Sequence, residues 1–88
     1  LALDALARAT SAADAQIRER LNSLTPRELQ VMRLVTLGKA NKVVGAELGV
    51  SQRTVEIHRA HVMDKMQARS LAELVRMVLD TEDATQKP

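Results

Sequence analysis

Several residue types that support binding or catalysis are missing from this chain. Its 88 residues contain no cysteine and no Phe, Trp or Tyr. Without cysteine, neither disulfides nor thiolate metal ligands are available, so the fold must be held by apolar packing. Without aromatic rings, the chain lacks the platforms on which many RNA-binding and single-strand-binding proteins stack bases. Disulfide-stapled domains and base-stacking modules are therefore disfavoured.

The chain is also short and has no long apolar run. A domain of this size buries about 60% of its unfolded surface, so its core must be simple. Its apolar runs fall far short of the roughly 18 residues of a membrane span, and no basic start with an apolar segment indicates export. We expect a cytoplasmic domain without membrane contact. Because the chain opens at Leu1 inside a helical pattern, we also expect it to be part of a longer protein.

Catalytic and metal-binding residue sets are hard to assemble from this sequence. Ser51 and Ser70 are each explained as helix caps, and nothing accompanies the two histidines, His58 and His61, as a third catalytic member. Two histidines without a nearby carboxylate pattern are too few for a zinc site. We therefore expect no enzymatic activity, no catalytic residue, no metal and no cofactor.

The positive charge is concentrated in the middle of the chain. The formal net charge is +2, but residues 39–69 contain six basic and three acidic side chains. A local excess of this kind indicates a polyanionic partner.

The clearest structural signal is the segment Leu24-Thr25-Pro26-Arg27-Glu28-Leu29. It predicts an N-cap at Thr25, proline at the first helical position and a Glu28 side chain that closes a capping box, with the two leucines placed as a hydrophobic staple. The helix that starts here is expected to end near Gly38, which suits a left-handed position after a helix.

The rest of the chain is also predicted to be helical. A second helix runs from about Asn41 to Leu48, a third from Gln52 to about Gln67, and a fourth from the capping box at Ser70 to near Leu79. The prediction is an all-α protein: a helical linker over residues 1–22, with Thr10 and Ser11 as internal caps, a four-helix domain over 23–80 and a flexible tail over 81–88.

The second and third helices form a helix-turn-helix. They are separated by Leu48-Gly49-Val50-Ser51, a short glycine-containing turn. Gly45 lies inside the second helix, although glycine costs a helix about 1 kcal/mol relative to alanine. We expect it to permit a close approach between the second and third helices.

Helical periodicity divides the third helix into a core face and a free face. The core face carries Val55, Val62 and Met66, and the free face carries Arg53, Ile57, Ala60 and Asp64, with Glu56 and His61 at its edges. Arginine can bond guanine, a carboxylate can accept from cytosine, and an aliphatic group can touch a thymine methyl. We predict that Arg53, Glu56, Ile57 and Ala60 contact bases in the major groove. For Glu56, a solvated helix position is the alternative.

Polar side chains beside this face suit the DNA backbone. The predicted phosphate contacts are Lys42, Thr54, His58 and Lys65. For His58, a packed surface histidine is the alternative. Two neighbouring residues have other predicted roles. Arg59 is expected to brace the helices through an ion pair with Glu28 or Glu47, and His61 to face either solvent or the groove.

The fourth helix has more apolar surface than one core can cover. Leu71, Leu74 and Val78 can face the core, which leaves a second stripe formed by Ala72, Val75 and Leu79. This stripe predicts a homodimer on DNA. A two-fold pairing of this helix would require an operator with an inverted repeat, its half-sites roughly one helical turn apart.

One block of motifs carries a family resemblance. The residues are Leu24-Thr25-Pro26-Arg27-Glu28, Gly38, Asn41-Lys42, Leu48-Gly49-Val50-Ser51, Arg53-Thr54-Val55, His58-Arg59 and Lys65-Met66. At these positions the chain resembles the LuxR-type helix-turn-helix family, and within it the FixJ-like and NarL-like response regulators. It departs from the family at Val43, where an acidic residue is usual, and at Gly45, where alanine is usual.

The resemblance implies a specific function. The family uses a four-helix DNA-binding domain as the output of two-component transcription regulators, with the third helix in the major groove and the fourth in dimerisation. By resemblance, Glu56, Ile57 and Ala60 contact bases, and Lys42, Thr54, His58 and Lys65 contact phosphates. The opening segment is similar to the last helix of a receiver domain and its linker. A receiver in the same protein and RNA polymerase are then the expected protein partners. The rival hypothesis is a helical interaction module whose basic face docks on an acidic protein.

Overall fold

The computed structural model describes residues 13–86, with side chains through residue 80. This part of the chain is all-helical, as predicted, and contains no strand. Helix α1 covers residues 13–22, within the predicted linker, whereas the predicted caps Thr10 and Ser11 lie outside the described residues. The domain helices follow as α2 (Pro26–Thr36), α3 (Asn41–Leu48), α4 (Gln52–Met66) and α5 (Leu71–Gln86).

Both ends of α2 form as the sequence predicts. The Glu28 amide donates to the Thr25 hydroxyl at 3.1 Å, and the Thr25 amide donates to Glu28 Oε1 at 2.9 Å, which completes the capping box. At the other end Gly38 has a φ of 89°, and its amide and that of Lys39 donate to the carbonyls of Val35 and Leu34. This pair of bonds is a Schellman motif, which satisfies the last carbonyls of the helix.

The turn between α3 and α4 also follows the prediction. Gly49 adopts the left-handed conformation, with φ 70°, and ends α3. Ser51 caps α4 by accepting from the Thr54 amide at 3.0 Å. A Cβ atom at Gly45 would lie 2.8 Å from the Val50 carbonyl oxygen. The expected close approach at Gly45 is therefore confirmed, although the nearest neighbour is the turn itself and not the body of α4.

Two apolar clusters hold the helices together, and α4 contributes to both. The first consists of Met32, Val62, Met66, Leu74 and Val78, and the second of Val31, Val35, Val44 and Val55. The α4 residues in these clusters are the three assigned to its core face. Because α4 is fixed from α2, α3 and α5, its opposite face is held in a defined orientation.

Two arginines bind carbonyl groups at helix C-termini. Arg20 of α1 donates to the Met66 carbonyl of α4 at 3.4 Å, and Arg27 donates to the Leu48 carbonyl of α3 at 3.5 Å. Both carbonyls lie at the negative end of a helix dipole, where a cation is favoured. The Arg20 contact attaches α1 to the end of α4.

The last helix differs from the prediction at both ends. Ser70 accepts from the Glu73 amide at 3.1 Å, but the Glu73 carboxylate accepts from the Arg69 amide instead of completing a box with Ser70. The prediction that α5 ends near Leu79 is wrong, because its backbone stays helical to Gln86. The sequence after Leu79 contains no glycine or proline before Pro88. The part of α5 after Leu79 can stay helical without an apolar face, because no residue there breaks the helix. The end of the apolar periodicity at Leu79 therefore did not mark the end of the helix. The flexibility of residues 81–88 stays a prediction.

Candidate nucleic-acid interface

The N-terminal half of α4 presents an exposed and chemically mixed surface. Arg53, Glu56, Ile57 and Ala60 are all exposed, while Val55 between them is fully buried. Ile57 is an aliphatic side chain with 44% of its surface accessible. The structure therefore brings the four predicted base-contacting residues together on one accessible face.

The two charged members of this surface interact with each other. Arg53 Nη1 lies 3.4 Å from Glu56 Oε2, one helical turn apart, and the Arg53 side chain is 80% exposed. An exposed pair of this kind contributes at most about 1 kcal/mol. Either side chain can leave the pair at small cost when a base or phosphate offers a better partner.

Two of the predicted phosphate contacts lie near helix N-termini. Thr54 is in the first turn of α4, with its hydroxyl 2.8 Å from that of Ser51. Lys42 is in the first turn of α3, exposed, and its ammonium group has no bonded partner among the described residues. The positive end of a helix dipole together with hydroxyl and ammonium donors suits an anion such as phosphate.

Lys65, also predicted to contact phosphate, is bonded inside the fold. Its Nζ donates to Glu28 Oε1 at 2.7 Å and to the Ser23 carbonyl at 3.2 Å, and the side chain is 35% exposed. These bonds link the C-terminal part of α4 to the start of α2. A third ammonium N–H remains for another acceptor.

Glu28 is the centre of this link and is the one buried charged residue in the described core. The Lys65 hydrogen bond, followed by the bonds from Thr25, outweighs the effect of burial and lowers the pKa of Glu28 to about 2. The carboxylate is therefore ionised at neutral pH. The role of Glu28 in the capping box was predicted from the sequence, whereas its contact with α4 was not.

The prediction for Arg59 is wrong in its partner. Arg59 Nη1 donates to the Asn41 amide oxygen at 3.1 Å, so it does join α4 to α3, but through a neutral group. Glu28 and Glu47 are occupied by Lys65 and Lys39 respectively. Arg59 is half-buried at the edge of the core face, where Asn41 at the start of α3 is in reach.

The expectation that no carboxylate lies near the two histidines is wrong. Glu28 reaches them from α2, and one donor atom from each of Glu28, His58 and His61 lies within 4.8 Å of the others. His61 Nδ1 is 3.4 Å from Glu28 Oε2. The Nδ1 atom of His58 is buried and has no hydrogen-bond partner among the described residues. Glu28 is distant from the histidines in the chain and is brought to them by helix packing, so residue spacing alone does not reveal the cluster.

The apolar stripe of α5 lies beside a groove. Val75 and Leu79 line a cavity of about 540 Å³ together with Leu21, Met32 and Leu37. Leu74 and Val78 are buried in the core, as predicted, and Leu79 is 52% exposed. The second stripe therefore keeps accessible apolar surface, although part of it faces α1 and α2.

No helix in the described part of the chain is both long and apolar enough to cross a membrane.

The sequence of this chain is similar to those of known bacterial regulatory proteins. The model of the GerE family, described as bacterial regulatory proteins of the luxR family, matches residues 22–78. Nodulation protein W of Bradyrhizobium diazoefficiens is 54% identical over 63 residues, which cover 72% of this chain and 28% of that protein. The transcriptional regulatory protein FixJ of Rhizobium meliloti is also 54% identical, over 72% of this chain and 31% of its own.

A solved structure gives the same result at the level of the fold. The structure of the response regulator StyR superposes with a TM-score of 0.84 at 40% identity, over 90% of this chain and 40% of that one. The chain thus spans about a third of the length of the curated relatives it matches.

Proposed function

Because the chain belongs to the luxR family of bacterial regulatory proteins, whose relatives are regulators and not enzymes, we propose that it binds double-stranded DNA sequence-specifically and controls transcription. In this proposal α4 enters the major groove. The observation that carries it is the exposed N-terminal half of α4, on a helix whose other side is anchored in two apolar clusters. A rigid helix with an accessible mixed surface is what base recognition needs.

We assign base contacts to Arg53, Glu56, Ile57 and Ala60. Small Ala60 allows a close approach, and Ile57 offers methyl groups to a thymine. The exposed Arg53–Glu56 pair can open at small cost, which frees a donor for guanine and an acceptor for cytosine.

We assign phosphate contacts to Lys42, Thr54, His58 and Lys65. Lys42 and Thr54 are best supported, because they lie in the first turns of α3 and α4. Lys65 has the weakest support, since two of its bonds are made inside the fold. Such contacts set affinity and register and make binding sensitive to salt.

We further propose that two copies pair on DNA through α5. The accessible part of the stripe formed by Ala72, Val75 and Leu79 supports this, because an exposed apolar surface is stabilised by a partner that covers it. A two-fold pairing would place two α4 helices on an inverted repeat.

The whole protein is proposed to be a cytoplasmic two-component response regulator. The matched segment covers only 28% and 31% of the two curated relatives, and StyR is called a response regulator. A receiver domain in the same protein, its phosphorylation and contact with RNA polymerase are part of this proposal. The chain alone should bind DNA without a phosphate donor.

Selection of bound sites from a random duplex library tests the proposal, followed by affinity measurements at increasing salt. We expect one enriched motif arranged as an inverted repeat, and an affinity that falls steeply with salt. Absence of duplex binding at low salt would overturn the function and favour a protein-interaction module. A single enriched half-site would leave DNA binding intact and overturn the pairing through α5.

A further inference from the structure

The contact between α2 and α4 contains a set of metal-ligating groups that DNA binding does not use as a set. It is formed by the Glu28 carboxylate and the imidazoles of His58 and His61, with one donor atom of each within 4.8 Å of the others. The two histidines are one helical turn apart on α4, and Glu28 comes from α2. We propose that Glu28, His58 and His61 bind a divalent transition-metal ion of the Zn²⁺ class, which bridges the two helices.

The donor chemistry fits this class of ion. Two imidazoles and one carboxylate form a common three-residue zinc set, in which a water molecule supplies the fourth ligand. Magnesium and calcium prefer sites built from oxygen ligands and are disfavoured by two imidazoles.

The spacing of the best-defined pair fits as well. His61 Nδ1 and Glu28 Oε2 are 3.4 Å apart, which is long for an N–H···O hydrogen bond. Bond lengths near 2.0 to 2.2 Å in a tetrahedral zinc site place two ligand atoms roughly 3.4 Å apart. Closing the remaining separation, at most 4.8 Å, requires a shift of roughly 1.5 Å. Small rotations of both imidazoles can supply this, since His61 is 58% exposed and His58 is half-buried.

The Glu28 carboxylate is already prepared as a ligand. Its Oε1 accepts from Thr25 and Lys65, which fixes the orientation of the group and leaves Oε2 toward His61. Lys65 Nζ, 2.7 Å from Oε1, lies on the other oxygen of the carboxylate and does not block Oε2. The positive charge of Lys65 opposes a second cation, so the site should be weaker than a zinc finger.

His58 provides an independent reason to expect a ligand. Its Nδ1 is buried without a hydrogen-bond partner among the described residues, which is costly for a ring nitrogen. Coordination of a metal ion through Nδ1 would give this atom a partner and remove that cost.

The test is Zn²⁺ titration of the untagged 88-residue chain, freed of metal, in competition with a chromophoric chelator. The visible absorption of bound Co²⁺ serves as a second readout, because tetrahedral Co²⁺ absorbs much more strongly than octahedral Co²⁺. We expect one ion per chain, tetrahedral bands, and a Tm that rises with free Zn²⁺.

Variants distinguish this site from adventitious binding. His61→Ala and His58→Gln should each weaken Zn²⁺ binding by at least about 10-fold and abolish the tetrahedral bands. Both retain the Glu28–Lys65 bond, so helical content should be preserved. Asp64→Asn is the matched control, because it removes an exposed carboxylate from the same helix and should leave affinity unchanged. Failure of the wild-type chain to compete for Zn²⁺, or equal losses in His61→Ala and Asp64→Asn, would overturn the proposal.

Discussion

The two halves of α4 both contain polar side chains but use them in different ways. From the middle of the helix to its C-terminus, Arg59 and Lys65 are bonded to residues of α3 and α2. In the N-terminal half, Arg53 and Glu56 pair with each other on the surface. A basic residue on α4 is therefore not by itself evidence of a DNA contact. The C-terminal, fastening half attaches α4 to the neighbouring helices. The N-terminal, free half remains accessible to a ligand.

The largest effect should come from breaking the ion pair between Glu28 and Lys65, which links α2 to α4. Glu28→Gln leaves Lys65 without its carboxylate and should lower the free energy of unfolding by roughly 2 to 3 kcal/mol, less than for a fully buried pair because Lys65 is partly exposed. Urea unfolding measures this. Glu47→Gln is the matched control: it removes a surface partner of Lys39 and should cost less than about 1 kcal/mol. Equal small losses would show that the contact does not fasten α4.

Acid should weaken the same contact in the wild-type chain. The pKa of Glu28 is lowered in the folded state from 4.5 to about 2, so the folded state favours the ionised form. This stabilisation, up to roughly 3 kcal/mol, is complete above about pH 5 and is lost as pH falls from 4.5 toward 2. Urea unfolding along this pH range should show a steeper decline in the wild type than in Glu28→Gln. If the stability of the wild type and of Glu28→Gln declined in parallel with falling pH, the lowered pKa would not belong to Glu28.

The free half should control sequence preference. Glu56→Ala is expected to relax discrimination at one base pair by roughly 1 to 3 kcal/mol. Lys42→Ala should weaken binding to all duplexes alike, because a phosphate contact carries no sequence information. Competition binding with single-base variants of the selected site separates the two effects. A changed sequence preference in Lys42→Ala would show that the groove-facing surface has been misplaced.

A smaller effect is expected at the start of the free half, which is held by local bonds. Ser51→Ala removes the acceptor for the Thr54 amide and should cost about 1 kcal/mol of stability. Ser51→Gly should cost a few tenths of a kcal/mol, since glycine is tolerated at an N-cap. Thermal unfolding of both variants checks the order. A reversed order would mean that the hydroxyl does not act as the cap.

The sequence predicted features that depend on neighbouring residues. The Thr25–Glu28 box, the left-handed Gly38 and Gly49, and the Ser51 cap all involve residues within a few positions of each other. Their energetics do not depend on how the helices pack, so short motifs were sufficient. The core face of α4 was predicted for a similar reason, because it follows from helical periodicity.

Long-range polar contacts could not be predicted in this way. Lys65 meets Glu28 across 37 positions and Arg59 meets Asn41 across 18, so each pairing depends on the packing of two helices. Several acceptors were chemically equivalent partners for Arg59 until distances were known. The proximity of Glu28 to His58 and His61 was missed for the same reason.

The most direct test of the division within α4 measures stability and sequence discrimination together for two variants. We predict that Ile57→Ala changes the free energy of unfolding by less than about 0.5 kcal/mol, because Ile57 is exposed, but reduces discrimination between the selected site and a single-base variant by at least about 1 kcal/mol. Lys65→Met should do the reverse, losing stability while keeping discrimination. If Ile57→Ala kept full discrimination and Lys65→Met lost it, the free and fastening halves of α4 would have to be exchanged.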